Sequence, residues 1–166
     1  MPKLNYKIIF HLMGLLLLFN GGFMMISALV SFITKDGVAL QITASGLLAL
    51  FAGMLLMFVT RDHKKEIKKR EGYIVVTVGW LFMSFSGMLP YLVTDTIPSV
   101  TDAFFETISG YTTTGATILS DIESLPKGIL FWRSTTHWIG GMGIIVLAIA
   151  ILPLLGIGGM QLFAAE

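Results

Sequence analysis

Four long apolar stretches divide the chain, and the polar interruptions between them set its organisation. The first runs from Ile8 to Ile33. As a helix it would reach about 39 Å, against a hydrocarbon core of about 30 Å. A tight polar turn, Thr34 to Gly37, separates it from a second run, Val38 to Val59. That second run carries Ala44, Ser45, Gly46, Ala49, Ala52 and Gly53, small positions at which another helix can approach closely. The two runs predict a helical hairpin. The third run, Gly72 to Val93, is broken near its end by Pro90, and Tyr73 and Tyr91 stand near its two ends as expected interface anchors. The fourth, Ile129 to Leu155, has Trp132 and Trp138 towards its outer end. The pattern predicts an all-α integral membrane fold: a transmembrane hairpin and basic loop over residues 1–71, then one helix–loop–helix unit over 72–166.

Between the third and fourth runs lies a segment too short and too polar to cross a bilayer, Asp102 to Thr117, reading D-A-F-F-E-T-I-S-G-Y-T-T-T-G-A-T. Pro98 and Ser99 supply a helix start, and Ser99 with Asp102 three residues on resembles a capping box. Ala103, Phe104, Phe105 and Ile108 give the predicted helix an apolar surface, and Gly110 is a natural stop. Three threonines and Gly115 follow, and glycine allows φ > 0 where carbonyls must turn to one side. A half-helix whose partly negative C-terminal end meets a strip of carbonyls forms a cation site, so the segment reads as a re-entrant pore loop. Two other readings stand beside it. One is a surface loop with a short helix. The other is a phosphate loop, because four residues separate Gly110 from Gly115; Ala116 and Thr117 stand where that motif needs Lys and Ser or Thr.

Composition sharpens the class. A hydrophobic share of 55% and a mean hydropathy of +0.83 belong to a membrane protein. The chain has no cysteine, which excludes disulfides, thiolate catalysis and Cys-based metal sites. Lys3 and Lys7 before the first run invite comparison with a signal peptide, but such an h-region spans about 7–15 residues, shorter than this run. Thr60 to Glu71 holds Arg61, Lys64, Lys65, Lys68, Lys69 and Arg70, a cluster that fits a cytoplasmic loop better than a nucleic-acid contact. Of the 11 Lys and Arg, only Lys35, Lys127 and Arg133 then fall outside, with Asp95, Asp102, Glu106, Asp121 and Glu123 on the same outer side. An acidic outer vestibule would concentrate cations. Both termini are expected in the cytoplasm.

Single polar residues inside apolar runs raise further expectations. Asn20 should bond within the protein, and His11 should sit near an interface. Gly140, Gly141 and Gly143 read as close helix packing, with a flexible pathway point as the alternative. His137 and Glu106 are the only acid–base pair an enzyme could use, and no nucleophile or metal partner accompanies them. Arg133 lies within the fourth run, where a lone guanidinium costs several kcal/mol unless it reaches water or a carboxylate. It is expected to bond Glu106 or backbone carbonyls behind the loop. Snorkelling to the interface is the competing outcome.

The loop sequence, then F-W-R-S, then H-W-I-G-G-M-G-I-I-V-L-A-I-A-I-L-P-L-L-G, resembles the first pore repeat of Trk-type potassium uptake proteins, in the Trk/Ktr/HKT superfamily of cation transporters. The leading pair of apolar runs resembles the extra hairpin that Trk-type members carry. The resemblance implies four such repeats around one pore, each contributing a filter segment with a key glycine. It assigns Thr112, Thr113, Thr114, Gly115 and Ala116 to the filter, with potassium, the transported ion, held at Thr112, Thr113 and Gly115. Glu106 and Arg133 would support it. It implies potassium uptake with no covalent chemistry or covalent cofactor, in a multi-pass protein of the cytoplasmic membrane in contact with lipid. The expected partners are the remaining repeats, or further copies of the chain, and a cytoplasmic nucleotide-binding regulatory subunit. With one repeat in hand, a fragment of a transporter is the expectation, and a non-conducting structural or assembly subunit is the alternative.

Overall fold

In the computed structural model, residues 6–61 and 69–151 are described, with side-chain surroundings for 6–61 and 72–145. Lys3, the basic-loop residues Asp62 to Lys68, the end of the fourth apolar run, and Gly156, Gly158 and Gly159 lie outside the described residues.

The described chain is helical: α1 (Tyr6–Thr34), α2 (Ala39–Val59), α3 (Lys69–Gly87), the short α4 (Leu89–Val93), α5 (Val100–Tyr111) and α6 (Lys127–Ile151). Among the described residues, three stretches are long and apolar enough to cross a membrane: Tyr6–Thr34, Ala39–Val59 and Gly72–Val93. Apolar side chains on their outer faces, such as Phe32, Leu40 and Phe58, are exposed as a lipid-facing surface requires. The 25-residue α6 is the described part of the fourth run.

Helix α1 is the hub. It packs along α2 and also touches α3 and α6. The α1–α2 seam closes on glycine pairs. A Cβ at Gly14 would lie 2.9 Å from the Gly53 carbonyl oxygen, and one at Gly21 would lie 3.0 Å from that of Gly46. The pairs repeat at the same spacing on both helices, so the backbones meet where a side chain would hold them apart. With lipid tails as apolar as leucine, such van der Waals contact is what drives helices together in a bilayer. Gly46 and Gly53 were among the small positions expected at a contact; Gly14 was not singled out.

One hydrophobic core joins the hairpin to the rest. Met24, Ala28, Ile42 and Ala49 of the hairpin pack with Tyr91, Ile97, Ala103, Ile129 and Trp132. Tyr91 thus differs from its expected place as an interface anchor. It is 0% exposed, and its hydroxyl has no hydrogen-bond partner among the described residues. The cause is the break at Met88, where α3 ends and α4 begins with Pro90 in its first turn. That break turns the Tyr91 ring into the core. Tyr73, at the other end of the run, is exposed.

The turn between α1 and α2 uses left-handed backbone at Lys35 (φ 55°) and Gly37 (φ 87°). Asp36 between them gathers four donors. Its carboxylate accepts from the Ser31 and Thr34 hydroxyls, from the Val38 N–H at 3.2 Å, and from the Gly128 N–H at 2.7 Å. The last bond fastens the hairpin turn to the first turn of α6. Burial pushes the Asp36 carboxyl up, but the bonds from Ser31, Gly128, Val38 and Thr34 outweigh it and hold the group below the ordinary carboxylate range.

Candidate functional site

Ser99 caps α5, accepting at 3.4 Å from the Asp102 N–H, so the helix starts where the sequence places a cap. It runs one residue past Gly110, ending at Tyr111. The helix is twelve residues long, about 18 Å, too short to cross a hydrocarbon core of about 30 Å. At its end the Thr112 N–H bonds Ile108 O at 2.9 Å, the Thr113 N–H bonds Gly110 O at 2.9 Å, and the Thr114 N–H bonds Ser109 O at 3.0 Å. The chain then leaves through left-handed conformations at Thr113 (φ 56°) and Gly115 (φ 74°). Glycine takes such an angle freely, whereas a β-branched threonine there is a true outlier. Sequence reasoning found Gly115 and missed Thr113, because nothing in the residue type announces it.

The strip from Thr112 to Ile118 is exposed along its whole length. Within the strip, the Thr112 and Thr114 hydroxyls bond one another at 2.8 Å. Its inner side is held. The Ser109 hydroxyl donates to the Ala116 carbonyl at 2.6 Å. Glu106, 1% exposed, accepts from the Thr117 hydroxyl at 3.0 and 2.9 Å and from the Ile118 N–H at 3.2 Å. Behind it, Arg133 of α6 donates from Nε to the same carboxylate at 2.7 Å. The guanidinium in the fourth run thus meets a carboxylate within the protein. A single buried Glu receives three groups: a side chain and a backbone N–H from the outgoing strand, and the cation from α6. Its charge is used up there and does not belong to an acidic vestibule.

Small residues let the surrounding helices grip α5. A Cβ on Gly140 would lie 2.8 Å from the Tyr111 carbonyl carbon and 2.9 Å from its Cα, so α6 rests directly on the backbone at the end of α5. A Cβ on Gly87 would lie 2.7 Å from Thr107 Cγ2 and 3.0 Å from the Tyr111 ring. Trp132 Nε1 donates to the Gly87 carbonyl at 2.9 Å, tying α6 to α3 beneath the loop. A Cβ on Gly143 would lie 3.1 Å from the Trp80 ring, while among the described residues nothing lies within 4 Å of one on Gly141. The glycine cluster in α6 is therefore a packing surface at two of its three positions.

The remaining polar candidates are also located. His137 bonds the Arg133 carbonyl of its own helix through Nδ1 at 2.9 Å, not Glu106. The His11 ring lies 3.0 Å from the Thr60 hydroxyl, linking the start of α1 to the end of α2. Among the described residues, no three His, Cys, Asp or Glu side chains cluster as metal ligands would. Oxygen donors at the exposed strip are backbone carbonyls and threonine hydroxyls, the set suited to a weakly held monovalent cation.

Residues 39–166 match the model of the TrkH family, described as "Cation transport protein". The chain is 46% identical over 98% of its length to the Trk system potassium uptake protein TrkH of Vibrio parahaemolyticus, and 45% identical over the same share to that of Escherichia coli K12. It also superposes on the crystal structure of the potassium transporter TrkH from Vibrio parahaemolyticus with a TM-score of 0.86, over 94% of this chain and at 45% identity. In each case the chain spans 34% of the relative's length. A family match over most of the sequence and a shared fold at this identity establish that the chain belongs to the TrkH family of cation transport proteins.

Proposed function

We propose that the chain supplies one of four filter segments of a Trk-type pore that takes potassium across the cytoplasmic membrane. The observation that carries this reading is the exposed strip after α5, whose inner side is anchored by buried Glu106 while its outer side is bare. Stripping water from a cation is costly, and a strip of oxygens fixed in advance replaces that shell without reorganising. Thr112, Thr113 and Gly115 would present oxygens to potassium, with Thr114 and Ala116 completing the segment. The C-terminal end of α5 adds the negative end of a helix dipole. Glu106 and Arg133 would brace the strip from behind. The names of the relatives, potassium uptake proteins, support the choice of ion.

In this reading residues 1–71 form the hairpin with its basic loop and residues 72–166 form one pore repeat, with α6 as its second span. Both termini and the basic loop face the cytoplasm, and the Thr94–Gly128 segment enters from outside. The other three segments come from further polypeptide or from further copies of the chain. A nucleotide-binding regulatory subunit would meet the cytoplasmic side.

Gly115→Ser in the assembled transporter tests the filter. Among the described residues, chain neighbours aside, no atom lies within 4 Å of a Cβ at this position, so the expected damage comes from the backbone angle and not from a clash with them. A left-handed residue with a side chain costs about 1–2 kcal/mol, and asparagine tolerates it better. Growth on low potassium should fail with Ser and be partly kept with Asn. Wild-type growth with Gly115→Ser would overturn the assignment.

A further inference from the structure

Tyr111 is the last residue of α5 and is covalently joined to Thr112, the first residue of the strip. Its ring is 0% exposed, and it lies 6.4 Å from Trp80, centroid to centroid. Its hydroxyl donates to Asn20 Oδ1, on the hairpin helix α1. Asn20, also 0% exposed, donates from Nδ2 to the Met83 carbonyl at 3.3 Å and to the Ser86 hydroxyl at 2.5 Å, both on α3. Its acceptor serves α5 and its donors serve α3. Reversing the amide would set its oxygen against the Met83 carbonyl, so the group has one orientation only. With the Gly140 backbone contact on the other side, the position of Tyr111 is defined by three helices, one of them outside the pore repeat.

We infer that Asn20 is a positioning residue for the filter: through the Tyr111 hydroxyl, the hairpin helix sets where the Thr112–Ala116 strip begins and thereby sharpens discrimination between potassium and sodium. This rests on the proposed ion-conducting role. The two ions differ in the oxygen spacing they need, so a small shift at Tyr111 changes the strip's fit for one ion more than for the other. A bond that only held the fold together would alter how much transporter is made, and not which ion it prefers.

The test measures the potassium-to-sodium flux ratio per molecule of assembled transporter in liposomes, for Asn20→Leu, Tyr111→Phe and the double variant. Each single change should lower the ratio about tenfold, equivalent to about 1.4 kcal/mol. The double variant should also lose about tenfold, because both changes delete the same bond. It also serves if a single variant folds poorly. Replacing both partners by apolar groups leaves neither the amide nor the phenol unsatisfied, and the Ser86 hydroxyl still bonds the Met83 carbonyl at 3.1 Å. A wild-type ratio in the double variant would overturn the inference and leave the conducting role intact, as would an additive loss of about a hundredfold. Absence of potassium flux from the wild-type transporter would instead overturn the conducting role, and this inference with it.

Discussion

Replacing Glu106 by glutamine keeps the side chain's size and removes its charge. The carboxylate receives Arg133 Nε at 2.7 Å, the Thr117 hydroxyl at 3.0 and 2.9 Å, and the Ile118 N–H at 3.2 Å, all at a site 1% exposed. A glutamine oxygen turned towards Arg133 sets its NH2 against the Ile118 N–H, donor against donor. The opposite flip sets it against the guanidinium. One donor is thus always orphaned, at about 1–3 kcal/mol, and the guanidinium loses its counter-charge. Breaking a buried pair by removing one partner costs about 3–5 kcal/mol in total, and with the Arg133 side chain 18% exposed this pair falls at the lower end. At about 2–4 °C per kcal/mol for a chain of this size, thermal unfolding of the detergent-solubilised chain should fall by about 6–12 °C. Glu106→Gln combined with Arg133→Met should recover part of that loss, since no guanidinium is then left without its counter-charge and the glutamine oxygen is free to accept from the Ile118 N–H. A Glu106→Gln melting temperature within 2 °C of wild type, on the same scale, would refute the bracing argument.

Gly140→Ala should lower the melting temperature by several degrees, because its Cβ would meet Tyr111 backbone at 2.8 and 2.9 Å and backbone cannot step aside; Gly141→Ala, with nothing among the described residues within 4 Å, should be neutral or slightly stabilising. Equal effects at the two positions would contradict the packing assignment. The Asp36 carboxyl is held below the ordinary carboxylate range, so it stabilises the fold at neutral pH and above, and that contribution is lost as pH falls through its lowered value. Melting curves between pH 7 and the acid range should therefore converge for wild type and Asp36→Asn as pH drops; a constant gap would show that the carboxylate's charge is irrelevant to the latch. Lys65→Cys, in the basic loop, should resist an impermeant thiol reagent applied to intact cells, and ready labelling from outside would reverse the proposed orientation.

Local physics carried much of this from the sequence. Continuous apolar runs of about twenty residues become helices in a bilayer because a helix satisfies its backbone groups within one segment, and that alone determined the hairpin and the spans. The Ser99 cap depends on residues three apart, and the left-handed turn at Gly115 on the freedom of one residue, so both were legible. That Arg133 needs water, a carboxylate or carbonyls follows from a guanidinium in an apolar run, and the structure settled it on Glu106. Only the tertiary structure decided which buried polar groups meet. Asn20 finds α3 and Tyr111, Asp36 finds the Gly128 N–H ninety-two residues away, and Tyr91 turns into the core where an interface anchor was expected. It also placed α1 at the centre, against α3 and α6 as well as α2, and put Thr113 in a strained angle. Such outcomes hang on the register of packed helices, which depends on contacts between residues far apart in the chain, and no local pattern encodes them.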